Sequence, residues 1–447
     1  MSAEASGQAD RLRQVLAPEH WPLDPALLPA GTALVGGAVR DALLGRLRSR
    51  PDLDLVVSGD AIALASSLAR RCGGSCVVLD AERSMARLVL RGWTIDLARR
   101  IGPSLEADLW RRDYTINAIA LPLAAGGAPI DPTGGLADLA AGQLRAIREA
   151  NLLEDPLRLL RGVRLAAELN FRLEPGTRDW ISRHHQRLAA VAGERVLAEL
   201  ERLAAAAAGE TGLILAIQLG LLQVWGGEGE EACPPLSGLS QRHAQAHGLT
   251  AEESSWALPL ARLAACLDGA AVARLHGSRR LQQRCGQLRN WRGRLARGRQ
   301  AASPDPDPTA TPLPPGVLEE LPEAERLALQ RQLEADFPAL ALQLDPADSE
   351  PLLRLWRNPG EVLMHPRSPL DGRQLQAWLT LPPGPRLGRL IEHLTQERAF
   401  GRLPAPLPAN PTQAAISLRA ARLWWAAGDG ETAKDGTRPG AADRRRD

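Results

Sequence analysis

Two aspartates one residue apart, Asp52 and Asp54, lie in the segment Pro51-Asp-Leu-Asp-Leu-Val-Val57, shortly after a Gly36-Gly37-Ala-Val-Arg40-Asp41 turn. The Leu-Val-Val run makes this segment a strand, and in an extended chain residues i and i+2 point to the same face. Both carboxylates therefore converge, with no basic residue between them to neutralise them. A sheet must be built around this pair, with one strand end left polar. Converging carboxylates form a site for a hard divalent cation, usually Mg2+, which takes oxygen ligands and phosphate. The glycine pair supplies a loop whose amides can approach phosphate closely. Metal and phosphate together point to phosphoryl or nucleotidyl transfer.

The first 150 or so residues read as mixed α/β. A short strand, Ala33 to Val35, enters the glycine turn, and a helix follows from about Ala38 to Leu44. Ala61 to Arg71 has helical periodicity and stops at Gly73-Gly74. Ser75 to Leu79 is a strand; Arg87 to Leu90 and Thr94 to Leu97 form a hairpin turning at Gly92-Trp93. Asp96, on the returning strand, becomes a third candidate carboxylate for the same site.

After residue 150 the texture changes to Leu-, Ala- and Arg-rich segments at helical spacing: Asp155 to Leu169, Thr177 to Ala190, Glu194 to Ala207 and Thr211 to Val224. The expected organisation is α+β. A head with a small mixed sheet (1–150) precedes a helical neck (151–225), a helical body (226–300), a Pro-rich linker (301–318), a helical tail (319–427) and a disordered end (428–447). The linker rests on six prolines between Ala301 and Pro315.

Composition bears on partners. Net charge is only +2, yet of 54 Lys and Arg residues a single one, Lys434, is lysine. GC-rich coding accounts for the bias, but arginine's planar fork also binds phosphate and base edges bidentately. The five cysteines have no zinc spacing and fit a reducing cytoplasm. No signal pattern or membrane-length apolar run is present, so a cytoplasmic protein without a membrane partner is expected. His184-His185 and the His243/His247 pair lack an accompanying metal-binding Asp pattern, and no metal is assigned to them.

Four segments stand in fixed order: Leu34-Val-Gly-Gly-Ala-Val-Arg-Asp-Ala-Leu-Leu-Gly45, then Asp52-Leu-Asp54, Arg111-Arg-Asp-Tyr-Thr-Ile-Asn-Ala-Ile-Ala120 and Glu154-Asp-Pro-Leu-Arg-Leu-Leu-Arg-Gly-Val-Arg164. With Asp131-Pro-Thr-Gly-Gly-Leu-Ala-Asp138 and Glu194-Arg-Val-Leu-Ala-Glu-Leu200, they make the chain resemble the class II tRNA nucleotidyltransferases. That family includes CCA-adding enzymes and bacterial poly(A) polymerases. The resemblance covers about residues 30 to 205. It implies a polymerase-beta-like head, Mg2+ as cofactor, CTP and ATP as substrates and the tRNA 3′ acceptor end as partner; it leaves the oligomeric state open.

On this reading Asp52 and Asp54 bind metal, with Asp96 beside them. Gly36, Gly37 and Arg40 hold the triphosphate. Arg112 and Asp113 open a helix with Asn117 one turn on, and the resemblance gives this segment ribose and phosphate contacts. Asp155 and Arg158, i and i+3 on one helix, share a face. A carboxylate can take cytosine's N4 donor while a guanidinium serves N3 and O2, so the pair imitates a guanine edge. The resemblance implies that this pair replaces a nucleic-acid template. Arg161 and Arg164 continue the face and are expected to meet the triphosphate.

One departure is informative. CCA-adding members usually carry a long flexible loop before the Arg-Arg-Asp motif, whereas here only Leu97 to Trp110 separates Asp96 from Arg111. This resembles the CC-adding enzymes, which leave the terminal adenosine to a partner. Full CCA addition, A addition, poly(A) synthesis and a catalytically silent RNA-binding relative remain as alternatives.

Overall fold

A computed structural model describes residues 3–124, 127–227, 236–300, 313 and 315–427. The chain forms two compact units, Met1–Ser237 with Cys266–Arg279, and Gly238–Ala265 with Arg280–Asp447. These cut the chain elsewhere than the expected boundaries. Residues 151–225 belong to the same unit as the sheet, and Cys266–Arg279 of the expected body also returns to it. Most of the expected linker, and all of 428–447, lie outside the described residues.

The first unit is built on a six-stranded mixed sheet in the order β3-β4-β5-β2-β1-β6. Its strands are β1 (Ala33–Val35), β2 (Leu53–Val57), β3 (Ser75–Asp80), β4 (Met85–Leu90), β5 (Trp93–Arg99) and β6 (Ala120–Pro122). β2 and β5 run parallel; every other neighbouring pair is antiparallel. Alternation sorts the side chains. Leu53, Leu55, Ala86, Leu88, Ile95 and Leu97 are almost fully buried on one face. Each leucine or isoleucine there stabilises the sheet by about 1.5–3 kcal/mol.

That face is covered by a helix, Ala61–Cys72, whose buried stripe is Ala61, Ala65, Leu68 and Ala69. Asp60 caps its start, accepting from the amides of Ile62 and Ala63, and Gly73 ends it with φ +72°. Among the described residues, the opposite face is covered only at the β1, β2 and β6 side. There Ala33, Val35, Val56 and Ala120 pack with Leu109, Ala118 and Ile147.

A helix at Ala3–Leu16 and the short strand β6 were not foreseen from the sequence. The hairpin between β4 and β5 turns at Arg91-Gly92, both with positive φ, one residue earlier than expected. After the sheet come the helices Glu149–Glu154, Leu157–Leu169, Pro175–His184, Gly193–Ala205 and Gly209–Gln218. The second unit is helical throughout its described residues, from Gln241–Ala246 to Ala415–Ala427. Among the described residues no helix is long and apolar enough to cross a membrane.

Candidate active site

The register of the sheet assembles the site. Val77, Arg87, Asp96, Asp54 and Val35 are successive cross-strand partners, so they form one row on one face. Asp52 lies two residues before Asp54 and shares that face. All three candidate carboxylates are thus brought together. Gly36 sits against them: its φ is +75°, and a Cβ there would lie 2.8 Å from Oδ2 of Asp54. Only glycine lets the turn approach the acid this closely.

Burial pushes the Asp54 carboxyl up to about 6; Arg112 and Arg161 oppose the shift, while Asp96 and Asp52 add to it. A cation beside Asp54 would relieve this penalty, so the donor chemistry fits a hard divalent ion. Among the described residues no three His, Cys, Asp or Glu side chains make a self-contained metal site. Such an ion would need phosphate oxygens and water to complete its shell. Asp96 is not idle. Arg87, directly opposite on β4, grips it through two bonds of 2.8 Å.

Behind the carboxylates runs a buried polar chain. Arg40 donates to Asp41 (2.9 Å) and to Oδ1 of Asn117 (2.8 Å); Asn117 donates to Asp113 (3.3 Å); Arg161 pairs with Asp113 at 2.9 Å. The Arg161 charge, together with the Tyr114 amide and Asn117, outweighs burial and holds Asp113 below the ordinary carboxylate range. The segment is not the expected helix. Asp113 precedes a single 3-10 turn, Thr115–Asn117, and donors from its own surroundings occupy its carboxylate. Asn151 fixes the preceding backbone by donating to the carbonyls of Trp110 (2.9 Å) and Arg112 (2.7 Å).

Two further expectations are corrected. Asp155 is extended (φ −138°, ψ 99°) and lies outside the helix Leu157–Leu169 that carries Arg158. A residue before proline is driven out of the helical region, and Pro156 follows it. Asp155 instead pairs with Arg195 at 2.9 Å, while Arg158 donates to the carbonyls of Asn151 (2.8 Å) and Arg111 (3.3 Å). Arg164 does not reach the site. It is buried and committed to Glu168 and Glu199. Six residues past Arg158, it points about 120° away around the helix.

Sequence reasoning missed Tyr114, the single tyrosine of the chain. It is fully buried and donates to the Arg158 carbonyl at 2.7 Å. A Cβ on Gly162 would sit 2.0 Å from its hydroxyl, so the ring and this mid-helix glycine fit only each other. A glycine inside a helical run was the available signal. Beside the carboxylate row lies a cavity of about 230 Å3, floored by Val56, Met85 and Ala98 and walled by Arg111, Arg112 and Arg158. Nε of Arg112 is buried in the protein without a hydrogen-bond partner.

Comparison with known proteins decides the family. The poly A polymerase head domain matches residues 32–100 and 80–145, and the probable RNA and SrmB-binding site of polymerase A matches residues 170–226. A CC-adding tRNA nucleotidyltransferase of Thermus thermophilus is 35% identical over 85% of this chain and 92% of its own length. One of Geobacter sulfurreducens is 33% identical over 83% and 89%. The chain belongs to the tRNA nucleotidyltransferase and poly(A) polymerase family. Members of this family are metal-dependent nucleotidyltransferases. A CC-adding enzyme of Synechocystis is 46% identical, but the match spans only 50% of this chain and 52% of that one. Among solved structures, a Thermotoga maritima CCA-adding enzyme complexed with tRNA superposes with a TM-score of 0.64 over 93% of this chain and 99% of that one. At 20% identity it speaks for the fold of this nucleotidyltransferase alone.

Proposed function

We propose that this nucleotidyltransferase adds two cytidines to the tRNA 3′ end from CTP, without a nucleic-acid template, in the cytoplasm. The primer 3′-oxygen attacks the α-phosphorus, the α–β phosphoanhydride bond breaks, pyrophosphate leaves and the hydroxyl proton passes to solvent. Asp52 and Asp54 would hold Mg2+, which would lower the pKa of the attacking hydroxyl and neutralise the departing charge. Asp96, fixed by Arg87, deepens the negative potential at Asp54. Gly36 and Gly37 present the turn to the triphosphate, with Arg40 beneath it. Arg112 brings its guanidinium charge to the cavity wall facing the nucleotide, and Asp113 and Asn117 order that segment around Arg161. Asp155 receives the cytosine amino group and Arg158 serves N3 and O2, each leaving part of its present pairing.

The observation carrying CC specificity is the connection between β5 and Arg111. It is short and packed. Ser104 caps the helix Leu105–Leu109, Asp108 binds the Ile101 amide at 2.8 Å and Arg112 at 3.3 Å, and Leu109 is fully buried. Such a segment has no slack with which to reshape the cavity for adenine. A second reading, A addition, is favoured by the Deinococcus radiodurans and Aquifex aeolicus A-adding enzymes, 41% and 40% identical over 208 and 160 residues. The test is incubation of tRNA lacking its CCA end with CTP, ATP or both, followed by product sequencing. CC from CTP alone, and none with Asp52→Ala, is expected. AMP added to a CC-ending tRNA as fast as CMP overturns the reading, and use of ATP alone establishes the second.

A further inference from the structure

The open half of the sheet face carries a feature the chemistry above does not use. β3 and β4 place Val77 and Val89 on the same face as the carboxylates, 52% and 37% exposed. Val77 ends the row that runs through Arg87 and Asp96 to Asp54. Val89 is paired with Thr94 on β5, in the row that leads to Asp52. With strands about 4.8 Å apart, Val89 lies about 10 Å from Asp52 and Val77 about 14 Å from Asp54. Exposed valines on a sheet face lose favourable burial unless something covers them.

Resting on the CC-addition reading, we propose that the last two nucleotides of the acceptor strand lie across β4 and β3, their bases against Val89 and Val77. In-line displacement fixes the side of approach. The attacking oxygen must stand opposite the leaving pyrophosphate. The triphosphate turn, Gly36-Gly37, follows β1, which neighbours β2 on one side; β5, β4 and β3 extend from its other side. The β1 side is roofed by Leu109, Ala118 and Ile147, and among the described residues the β3 side is open. Charge agrees with an RNA occupant. Arg50 and Arg91 are exposed at the Asp52 end, with Arg50 Nη1 3.1 Å from where a Cβ on Gly92 would stand, and no ion pair with an acid engages either among the described residues. Phosphates are the natural counter-charge for such arginines.

Binding without turnover tests this in the full chain, using tRNA that ends just before the CCA sequence and the same tRNA two nucleotides shorter. For the wild type, shortening weakens the dissociation constant by about fivefold. In Val77→Ser/Val89→Ser the longer tRNA already binds about as weakly as the shorter one, and shortening does nothing more. Val78→Ser controls for sheet stability, because Val78 is 50% exposed on the other face of the same strand; it behaves as wild type. Equal loss on shortening in variant and wild type, no loss in the wild type, or a loss of the same size in Val78→Ser overturns the proposal. Failure to incorporate CMP counts against the CC reading alone, since these measurements need no catalysis.

Discussion

The buried arginine set behind Asp54 and the surface ion pairs of the second unit hold charge differently. Around the sheet, charge is buried and shared: Arg40 and Asn117, distant in sequence, meet under the glycine turn, and Asp113 is held between Asn117 and Arg161. In the helical second unit, charge mostly coats surfaces. Arg357 grips Glu253, Arg367 reaches Glu334, and Arg402 spans Glu323 and Glu397, all from exposed or half-exposed positions. Removing one partner of a buried set strands a charge in a poorly solvated place, whereas water takes over at a surface. Residue identity is therefore tightly constrained in the buried set behind Asp54 and loosely at these surface pairs; Arg262 and Arg398 are buried exceptions in the second unit.

The largest expected effect comes from the tightest contact. Gly162→Ala drives a methyl to 2.0 Å from the Tyr114 hydroxyl and 2.7 Å from its ring carbon Cζ. Tyr114 is fully buried and cannot swing away, so the helix bearing Arg158 and Arg161 must shift. A loss of about 3 kcal/mol in urea unfolding of the first unit is expected. Gly162→Ala/Tyr114→Phe recovers part of it by removing the nearer atom. A Gly162→Ala protein as stable as wild type would mean that the packing around the sheet is no more exacting than that of the second unit.

Legibility follows the same division. Convergence of Asp52, Asp54 and Asp96 was readable because strand periodicity and a hairpin need only local sequence. The Arg87 clamp on Asp96 was nearly readable: a two-residue turn at Arg91-Gly92, rather than at Gly92-Trp93, places them opposite. Asp155 was misplaced because helical periodicity was run through Pro156, although the rule for the preceding residue was available. Arg164 was assigned a face that helix geometry denies it. Tyr114 against Gly162, and Arg195 with Asp155, depend on tertiary packing that no local pattern encodes. For the second unit, helical texture marked broad helical stretches but separated no individual helices and gave no chemistry.

An intermediate effect is expected from pH. In metal-free protein the Asp54 carboxyl is raised from its ordinary value to about 6, so the folded state holds the proton more tightly than the unfolded state. Its contribution to stability is complete below the unfolded pKa and is lost as pH rises toward 6. Asp54→Asn has no charge to bury. With EDTA present, its stability advantage over wild type should therefore grow between about pH 4 and pH 6.5, by at most about 3 kcal/mol, and stay level at higher pH. Mg2+ should then raise the melting temperature of the wild type and leave the variant unchanged. A constant gap across that range would show that Asp54 is as well solvated as a surface carboxylate.

The smallest effect is expected where the drawn geometry looks strongest. Arg402 meets both oxygens of Glu323 at 2.8 and 2.9 Å and Glu397 at 2.9 Å, which ties the helices Glu323–Leu333 and Pro385–Ala399 together. Yet its side chain is 41% exposed and that of Glu323 45%. Ions so placed gain little over hydration, and ordering three long side chains opposes the bond. Arg402→Ala should lower the melting temperature of the second unit by no more than about 1 °C, and by nothing measurable in high salt. Scanning calorimetry at two salt concentrations decides it. A salt-resistant loss of about 3 °C or more would put this pair on the same footing as the buried chain behind Asp54, and the contrast between buried set and surface pairs would fail.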